Sequence, residues 1–250
     1  AGAAAARRAA RRERRWAARH PSTPGDAMAA STFEVTLRMS TSTVVGLTDS
    51  GFSLLAFAAV QSFDLLAQPL VWMTTRQYSA TTVVRGAMRF QAYTVPADTA
   101  SQVVPGFSAD IAPGQLLTVH HASGIGTVTE DGVGGVVAIY NATRTPLWCG
   151  IAQEAAGAFA PVCLLPLHGG NAQVVVPVPV ILLMFSISPA ILGTTVDTAS
   201  GPGVLLDLGA TLRPEVGYDI DEGWSWGETT WGRAVEFGAE LRPLLTGSPG

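Results

Sequence analysis

The sequence predicts an all-β, soluble protein, and three observations support that prediction. Hydrophobic residues make up 48% of the 250 positions, and 27 Gly and 16 Pro accompany many Val and Thr residues. β-Branched residues favour strands, whereas Gly and Pro favour tight turns. Turn dipeptides such as Pro113-Gly114 and Asp131-Gly132 separate short apolar runs, at intervals of roughly ten residues, as in sandwiches and barrels. We therefore expect an antiparallel β-sandwich, either jelly-roll-like or made of two related β units packed face to face.

Residues 1–31 form a leader that differs in composition from the rest of the chain. The leader is rich in Ala and Arg, and seven of the fifteen arginines lie in its first nineteen positions. Three interpretations fit: an organelle-targeting peptide, a basic arm that neutralises RNA, or sequence upstream of a start at Met28. In each case the fold prediction applies to a body spanning residues 32–246. If the leader is native, nucleic acid is expected to bind only through residues 1–19.

The body is acidic and contains no candidate membrane-spanning helix. From Met28 onward there are 17 acidic residues and 8 arginines, which gives a net charge near −9. Such a body is a poor partner for a phosphate backbone. The longest apolar run, residues 174–185, is too short to cross a bilayer as a helix, and no apolar signal-peptide core precedes it. We expect a protein without a transmembrane segment, and its compartment stays open.

The first strand is predicted where apolar and polar residues alternate, at Phe33, Val35, Leu37 and Met39. A period of two places these apolar side chains on one face of a half-buried strand. The Ser and Thr residues that follow predict a turn at the start of a hairpin. In residues 52–66 the apolar positions cover more than one face, so a helix and a buried strand both fit, and we favour the strand.

A weak internal duplication is visible within the body. Residues 35–45 resemble residues 137–147 at an offset of 102. If the duplication is real, two similar β units bury the apolar stretch 174–185 between them, whereas the alternative is chance resemblance between strands of similar composition. Pro177 and Pro179 cannot donate ladder hydrogen bonds, so we expect them at a sheet edge or at the beginning of a strand.

No catalytic, cofactor-binding or metal-binding signature is present. His120 and His121 are adjacent on a predicted strand and point to opposite faces, so they cannot share one metal ion without distortion. The spacing of Cys149 and Cys163 fits neither a zinc knuckle nor a redox motif, which leaves buried thiols or one disulfide. The Gly clusters lack the form of a phosphate loop or a nucleophile elbow. We therefore expect no enzyme activity, no cofactor and no metal site.

The candidate binding site is the stretch "GYDIDEGWSWGETTWG" at 217–232, which combines four acidic residues with three tryptophans. Read as extended strand, it places neighbouring carboxylates on one face and neighbouring indoles on one face. Aromatic rings can stack on the C–H faces of a sugar while acid oxygens accept hydrogen bonds from its hydroxyls. The sequence therefore predicts a ligand-binding surface formed by Asp219, Asp221, Trp224, Trp226 and Trp231.

Three functional classes follow from these features. The preferred hypothesis is a non-catalytic, lectin-like protein that recognises a carbohydrate or glycoconjugate through the Trp/Asp-rich surface. The first alternative is a capsid-like shell protein whose Arg-rich arm binds RNA. The second is a membrane-active, pore-forming-like β protein in which the tryptophans meet lipid headgroups. A homo-oligomer is compatible with each class. In a simpler interpretation, the tryptophans cover the core near the C-terminus.

Overall fold

The computed structural model describes residues 31–97 and 102–247 of the chain. The predicted leader therefore lies outside the described residues, apart from Ser31. The strands, in chain order, are β1 (Thr32–Arg38), β2 (Ser53–Ser62), β3 (Gln68–Pro69), β4 (Met73–Thr75), β5 (Thr81–Pro96), β6 (Phe107–Ile111), β7 (Leu116–Val119), β8 (Gly126–Thr129), β9 (Val137–Asn141), β10 (Leu147–Ala155), β11 (Ala158–Pro161), β12 (Cys163–Leu167), β13 (Ala172–Ser186), β14 (Gly203–Asp207), β15 (Glu215–Asp219), β16 (Gly223–Ser225) and β17 (Gly232–Val235). The helices in these ranges are α1 (Thr41–Asp49) and α2 (Arg242–Leu245).

The described strands form two curled sheets that pack together, which confirms the predicted all-β sandwich. One sheet has the order β16-β15-β1-β5-β10-β12-β3, with β6 added to β5 and β11 added to β10. The other has the order β17-β14-β13-β9-β7-β8, with β2 pairing to β13 and β4 pairing to β2. Most pairs are antiparallel, but β1 with β15 and β7 with β9 are parallel. The sheets are therefore mixed, which corrects the purely antiparallel expectation.

The main core lies between the two sheets. Strand β1 confirms its predicted alternation, because Phe33, Val35 and Leu37 are buried while the residues between them are partly open. These three side chains join one apolar cluster with residues from strands of both sheets, such as Ile139 in β9 and Leu183 in β13. Burial of this shared cluster is the main favourable contribution to holding the sandwich together.

Helix α1 occupies the segment where the sequence predicted a turn and a hairpin, so that prediction was wrong. Ser40 caps the helix, since its Oγ accepts a hydrogen bond of 3.0 Å from the backbone N–H of Thr43. Gly51 follows the helix with φ +74°, the left-handed conformation that commonly ends helices. The Thr and Val residues of this segment have low helix propensity, and the caps together with burial of Leu47 outweigh that tendency.

Strand β2 confirms the strand predicted within residues 52–66 and explains its unusual apolar pattern. Leu54 and Ala56 face the core between the sheets. Leu55 and Phe57 face the other way, into a second cluster that also contains Leu241 beside α2. The C-terminal segment thus covers the outer face of this strand. A strand that is buried on both faces has no polar side, so its sequence does not alternate.

The prolines of β13 lie in a central strand rather than at an edge, which corrects their predicted placement. The first residues of β13 pair with β9 and its last residues pair with β14, while β2 lies along the strand. The pairing with β2 shifts register between Pro177 and Ile181. Because the ladder is interrupted there, Pro179 removes no hydrogen bond that a regular strand would need.

The main strands of the two segments of the proposed duplication, β1 and β9, lie in different sheets. Residues 35–45 contain the end of β1 and the beginning of α1, whereas residues 137–147 contain β9, a turn and the first residue of β10. The duplication stays a prediction. In the part of the chain that the structure describes, no helix has both the length and the apolar character needed to span a bilayer.

Candidate functional site

The candidate stretch folds as a hairpin rather than as one extended strand. Strand β15 ends at Asp219, residues 220–222 form the turn, and β16 returns antiparallel with Tyr218 opposite Trp224. Gly223 closes the turn at φ +82°, a conformation that strongly favours glycine. The predicted shared face for Asp219 and Asp221 is therefore wrong, because Asp221 belongs to the turn.

Asp219 ties this turn to the first turn of α1. Its Oδ1 accepts hydrogen bonds from the backbone N–H of Asp221 at 2.9 Å and from that of Glu222 at 3.3 Å. Its Oδ2 accepts a hydrogen bond of 2.9 Å from the hydroxyl of Thr43, which is itself fully buried. An aspartate that bonds the backbone two residues later is a common way to set a turn. Both carboxylate oxygens are thus occupied by structural contacts.

These contacts also change the acidity of Asp219. The backbone N–H of Asp221 is the largest cause, followed by the Thr43 hydroxyl, and together with the Glu222 N–H they hold the pKa of Asp219 below its ordinary value. Partial desolvation acts in the opposite direction. Hydrogen bonds to the charged form stabilise it, so Asp219 is a carboxylate at neutral pH.

Trp224 is anchored in a cluster of aromatic rings. Its ring stacks on Phe185 with a centroid distance of 5.7 Å and an interplanar angle of 19°, and it lies 4.9 Å from the ring of Tyr218. Its Nε1–H donates a hydrogen bond of 2.9 Å to the carbonyl oxygen of Pro202. The indole is therefore held in one orientation and remains only partly buried.

The cluster around Trp224 continues into the core. Phe185 is 1% exposed and also contacts Tyr78 edge to face, at a centroid distance of 5.4 Å. Burial is the largest cause that raises the pKa of Tyr218 above its ordinary value. This tyrosine is accordingly a neutral, packed side chain.

The other predicted site residues lie elsewhere on the same part of the chain. Trp226 and Trp231 are half-buried and pack against the core between the sheets. A Cβ atom added at Gly232 would lie 2.5 Å from the ring of Trp226, so this indole covers a position that only glycine fits. Asp221 is exposed in the turn. The structure thus brings Asp219 and Trp224 into one cleft and places the other three predicted residues outside its lining.

This cleft has a volume of about 530 Å³ and opens beside the hairpin of β15 and β16. We call it the hairpin cleft. Its lining is Arg38, Met39, Ser40, Ala80, Thr81, Gly217, Tyr218, Asp219, Glu222, Gly223, Trp224 and Ser225. The end of β1 pairs on one side with the start of β5 and on the other with β15. This order brings residues from both ends of the body to one site.

Five polar residues of the hairpin cleft were not predicted from the sequence: Arg38, Ser40, Thr81, Glu222 and Ser225. The Arg38 guanidinium donates to the Thr81 hydroxyl at 2.9 Å and to Glu215 at 3.2 Å. Glu222 is exposed, and within the described residues its carboxylate has no hydrogen bond or ion pair with the protein. Glu222 is therefore the cleft carboxylate that is open to a ligand. Its position among the acids of 217–232 was visible, but the turn that frees it was not.

Within residues 31–97 and 102–247, no three or more His, Cys, Asp or Glu side chains converge closely enough to hold a metal ion. The cleft instead combines an indole, hydroxyl groups, one cation and two carboxylates. Such groups can orient a polar ligand by hydrogen bonding and stacking.

The described fold and the hairpin cleft define the class as an all-β, sandwich-like protein with a polar, indole-lined cleft at a sheet edge. Comparison with known proteins does not extend that description, because no family model, curated protein or solved structure matches this chain.

Proposed function

We propose that this protein binds a carbohydrate or glycoconjugate in the hairpin cleft without catalysing a reaction. The observation that supports the proposal is the fixed Trp224 indole beside the free carboxylate of Glu222 in one open cleft. An indole offers a flat apolar surface to the C–H groups of a pyranose ring, and a carboxylate accepts hydrogen bonds from its hydroxyls. The volume lies within the range of about 300–1,000 Å³ that small-ligand sites occupy.

The hydroxyl-bearing side chains of the cleft strengthen this proposal. Ser40, Thr81 and Ser225 line it together with Arg38. The Ser40 hydroxyl already donates to Thr43, and the Thr81 hydroxyl accepts from Arg38 but can still donate. A hydroxyl group both donates and accepts, so Ser225 is the residue that complements sugar hydroxyls in either direction. Arg38 is already paired with Glu215, so the cleft does not present an isolated positive charge. A neutral or weakly charged glycan suits this balance better than a highly charged anion.

Glycan-array binding followed by titration of the best glycan tests this proposal. We expect Trp224→Ala to weaken binding about tenfold or more, because an apolar contact of aromatic size is lost. Trp226→Ala is the matched control, since it removes an indole that does not line the cleft. Equal losses in the two variants, or no glycan binding by the unaltered protein, would remove the proposed site.

A second pair of variants tests the carboxylate. Glu222→Gln keeps the shape of the side chain but removes its charge, and we expect about tenfold weaker binding from the loss of a charged hydrogen bond. Glu228→Gln changes an exposed acid outside the cleft and should leave binding unchanged. The alternative of an RNA-binding arm concerns residues 1–19, which lie outside the described part of the chain, and stays a prediction.

A further inference from the structure

The connection between β2 and β3 carries three large apolar side chains into solvent. Phe63 is 68% exposed, Leu65 is 84% exposed and Leu66 is 58% exposed. We call residues 63–66 the apolar loop. It directly follows a strand that is almost entirely buried. On ordinary protein surfaces, exposed apolar residues are scattered singly. Here three large apolar side chains lie together in one loop.

The apolar loop is fixed by hydrogen bonds, and its only charged side chain, the half-buried Asp64, takes part in them. Asp64 accepts from the backbone N–H of Leu66 through Oδ1 at 2.8 Å and from the side chain of Gln173 through Oδ2 at 2.6 Å. Its own backbone N–H donates to the Ser62 hydroxyl, and its carbonyl oxygen accepts from the N–H of Ala67. The carboxylate therefore faces the protein while the three apolar side chains face outward.

The C-terminal helix supports the same loop. The carbonyl oxygen of Leu65 accepts a hydrogen bond of 3.4 Å from Arg242, and that of Ala67 accepts one of 3.1 Å from the Thr246 hydroxyl. Six main-chain groups between residues 64 and 67 thus have partners in the protein. A polar group that enters an apolar medium without a partner is costly. Because these main-chain groups already have partners within the protein, moving the loop into an apolar medium would cost less.

Three clefts that a second copy would present suit the loop poorly. Each contains a charged side chain: Arg38 in the hairpin cleft, Arg85 in the cleft along β1 and β5, and Asp197 in the cleft beside α2. Phe63 and Leu65 would place apolar atoms against those charges. An exposed apolar loop of this kind is better accommodated by lipid, which can rearrange around the side chains.

We propose that the apolar loop inserts into the interfacial region of a zwitterionic lipid bilayer. The proposal does not depend on carbohydrate binding, and it differs from the membrane hypothesis of the sequence analysis because the tryptophans are half-buried while this loop is open. The acidic body favours neutral over anionic lipid, because like charges repel. Arg242, next to the loop, is already ion-paired with Asp197 at 3.2 Å, so its charge does not favour anionic over neutral lipid.

A fluorescent label at the tip tests the proposal in the full chain. Leu65→Cys is labelled with the polarity-sensitive dye NBD, and the two native thiols do not compete because both are fully buried. Phosphatidylcholine vesicles carry no net charge, so the Arg-rich leader cannot drive binding by charge. We expect blue-shifted, stronger emission that doxyl-labelled lipids quench. Val133→Cys, on an exposed turn of similar accessibility, should show neither change.

Removal of the apolar groups gives an independent test. We expect the combined change Phe63→Ser, Leu65→Ser and Leu66→Ser to lower vesicle co-sedimentation by more than tenfold, since burial of even one such side chain contributes about tenfold in affinity. The triple variant should keep the urea midpoint of the parent, because the altered groups are exposed. An absent NBD response, or co-sedimentation that survives the triple change, overturns the proposal. So does an NBD shift that rises with protein concentration without vesicles, which would assign the loop to a second copy.

Discussion

Replacement of Phe185 by Ala should destabilise the sandwich and loosen the wall of the hairpin cleft together. Phe185 is 1% exposed, and its ring contacts the rings of Tyr78, Tyr218 and Trp224 at centroid distances between 4.7 and 5.7 Å. Phe→Ala changes in cores cost about 3–5 kcal/mol, from lost transfer free energy and the cavity left behind. The three aromatic contacts place this site in the upper half of that range, at about 4–5 kcal/mol.

Urea unfolding measures this change in the free energy of unfolding. A loss of about 4 kcal/mol corresponds to a fall in Tm of about 8–16 °C for a domain of this size. Acrylamide quenching should also increase, because Trp224 loses the ring on which it stacks. Phe237→Ala is the matched control: Phe237 is 73% exposed, so the change should stay within about 0.5 kcal/mol. A loss below about 1.5 kcal/mol for Phe185→Ala, or equal losses in both variants, would refute this account of the core.

Three further predictions concern other parts of the described chain. Ala156 and Gly157 have φ of +49° and +88° in the two-residue turn between β10 and β11. Asn-Gly is the preferred sequence for a turn in which both residues have positive φ, so Ala156→Asn should raise the free energy of unfolding, measured in urea, by about 0.5–1 kcal/mol. A lower free energy of unfolding for this variant would contradict the turn assignment. Burial raises the pKa of Cys163 to about 12 and that of Cys149 well above its ordinary value. Because the thiolate is the reactive form, a disulfide reagent should modify these thiols only after unfolding, and rapid reaction with the native protein would exclude this packing. Because the folded-state pKa of Asp219 is lowered, its carboxylate stabilises the fold above the ordinary pKa of about 4, and this stabilisation is lost as pH falls through the lower folded pKa. The difference in Tm between the parent protein and the Asp219→Asn variant should therefore shrink in acid. A difference that stays constant with pH would count against the hydrogen bonds described.

Strands could be predicted where apolar and polar residues alternate, because that alternation indicates which side chains are buried. The alternation of Phe33, Val35 and Leu37 indicated β1, and the same side chains are buried. Helix α1 was missed because its Thr and Val residues favour strands, although Ser40 and Gly51 at its ends are ordinary cap residues. Local propensity was a weaker guide there than the caps.

The parallel pairing of β1 with β15 could not be inferred from local pattern. The alternation of apolar and polar residues indicates which face of the sheet a side chain occupies, but it does not indicate which strand lies beside it. Parallel neighbours also require a long crossover connection rather than a tight turn, so no turn motif marks them. The contribution of Arg38 and Thr81 to the hairpin cleft depends on this pairing, and neither residue stands out in the sequence.

The different roles of Asp219 and Glu222 follow from the same hairpin. Both acids lie within four positions, and composition treats them alike. Asp219 ends its strand, where its oxygens reach the N–H groups of the turn and the hydroxyl of Thr43 at a sequence separation of 176 residues. Glu222 ends the turn, where its own N–H is used but its carboxylate stays open. Asp219, one of the two acids predicted to contact a ligand, therefore stabilises the fold, and Glu222 is the cleft acid whose carboxylate stays open.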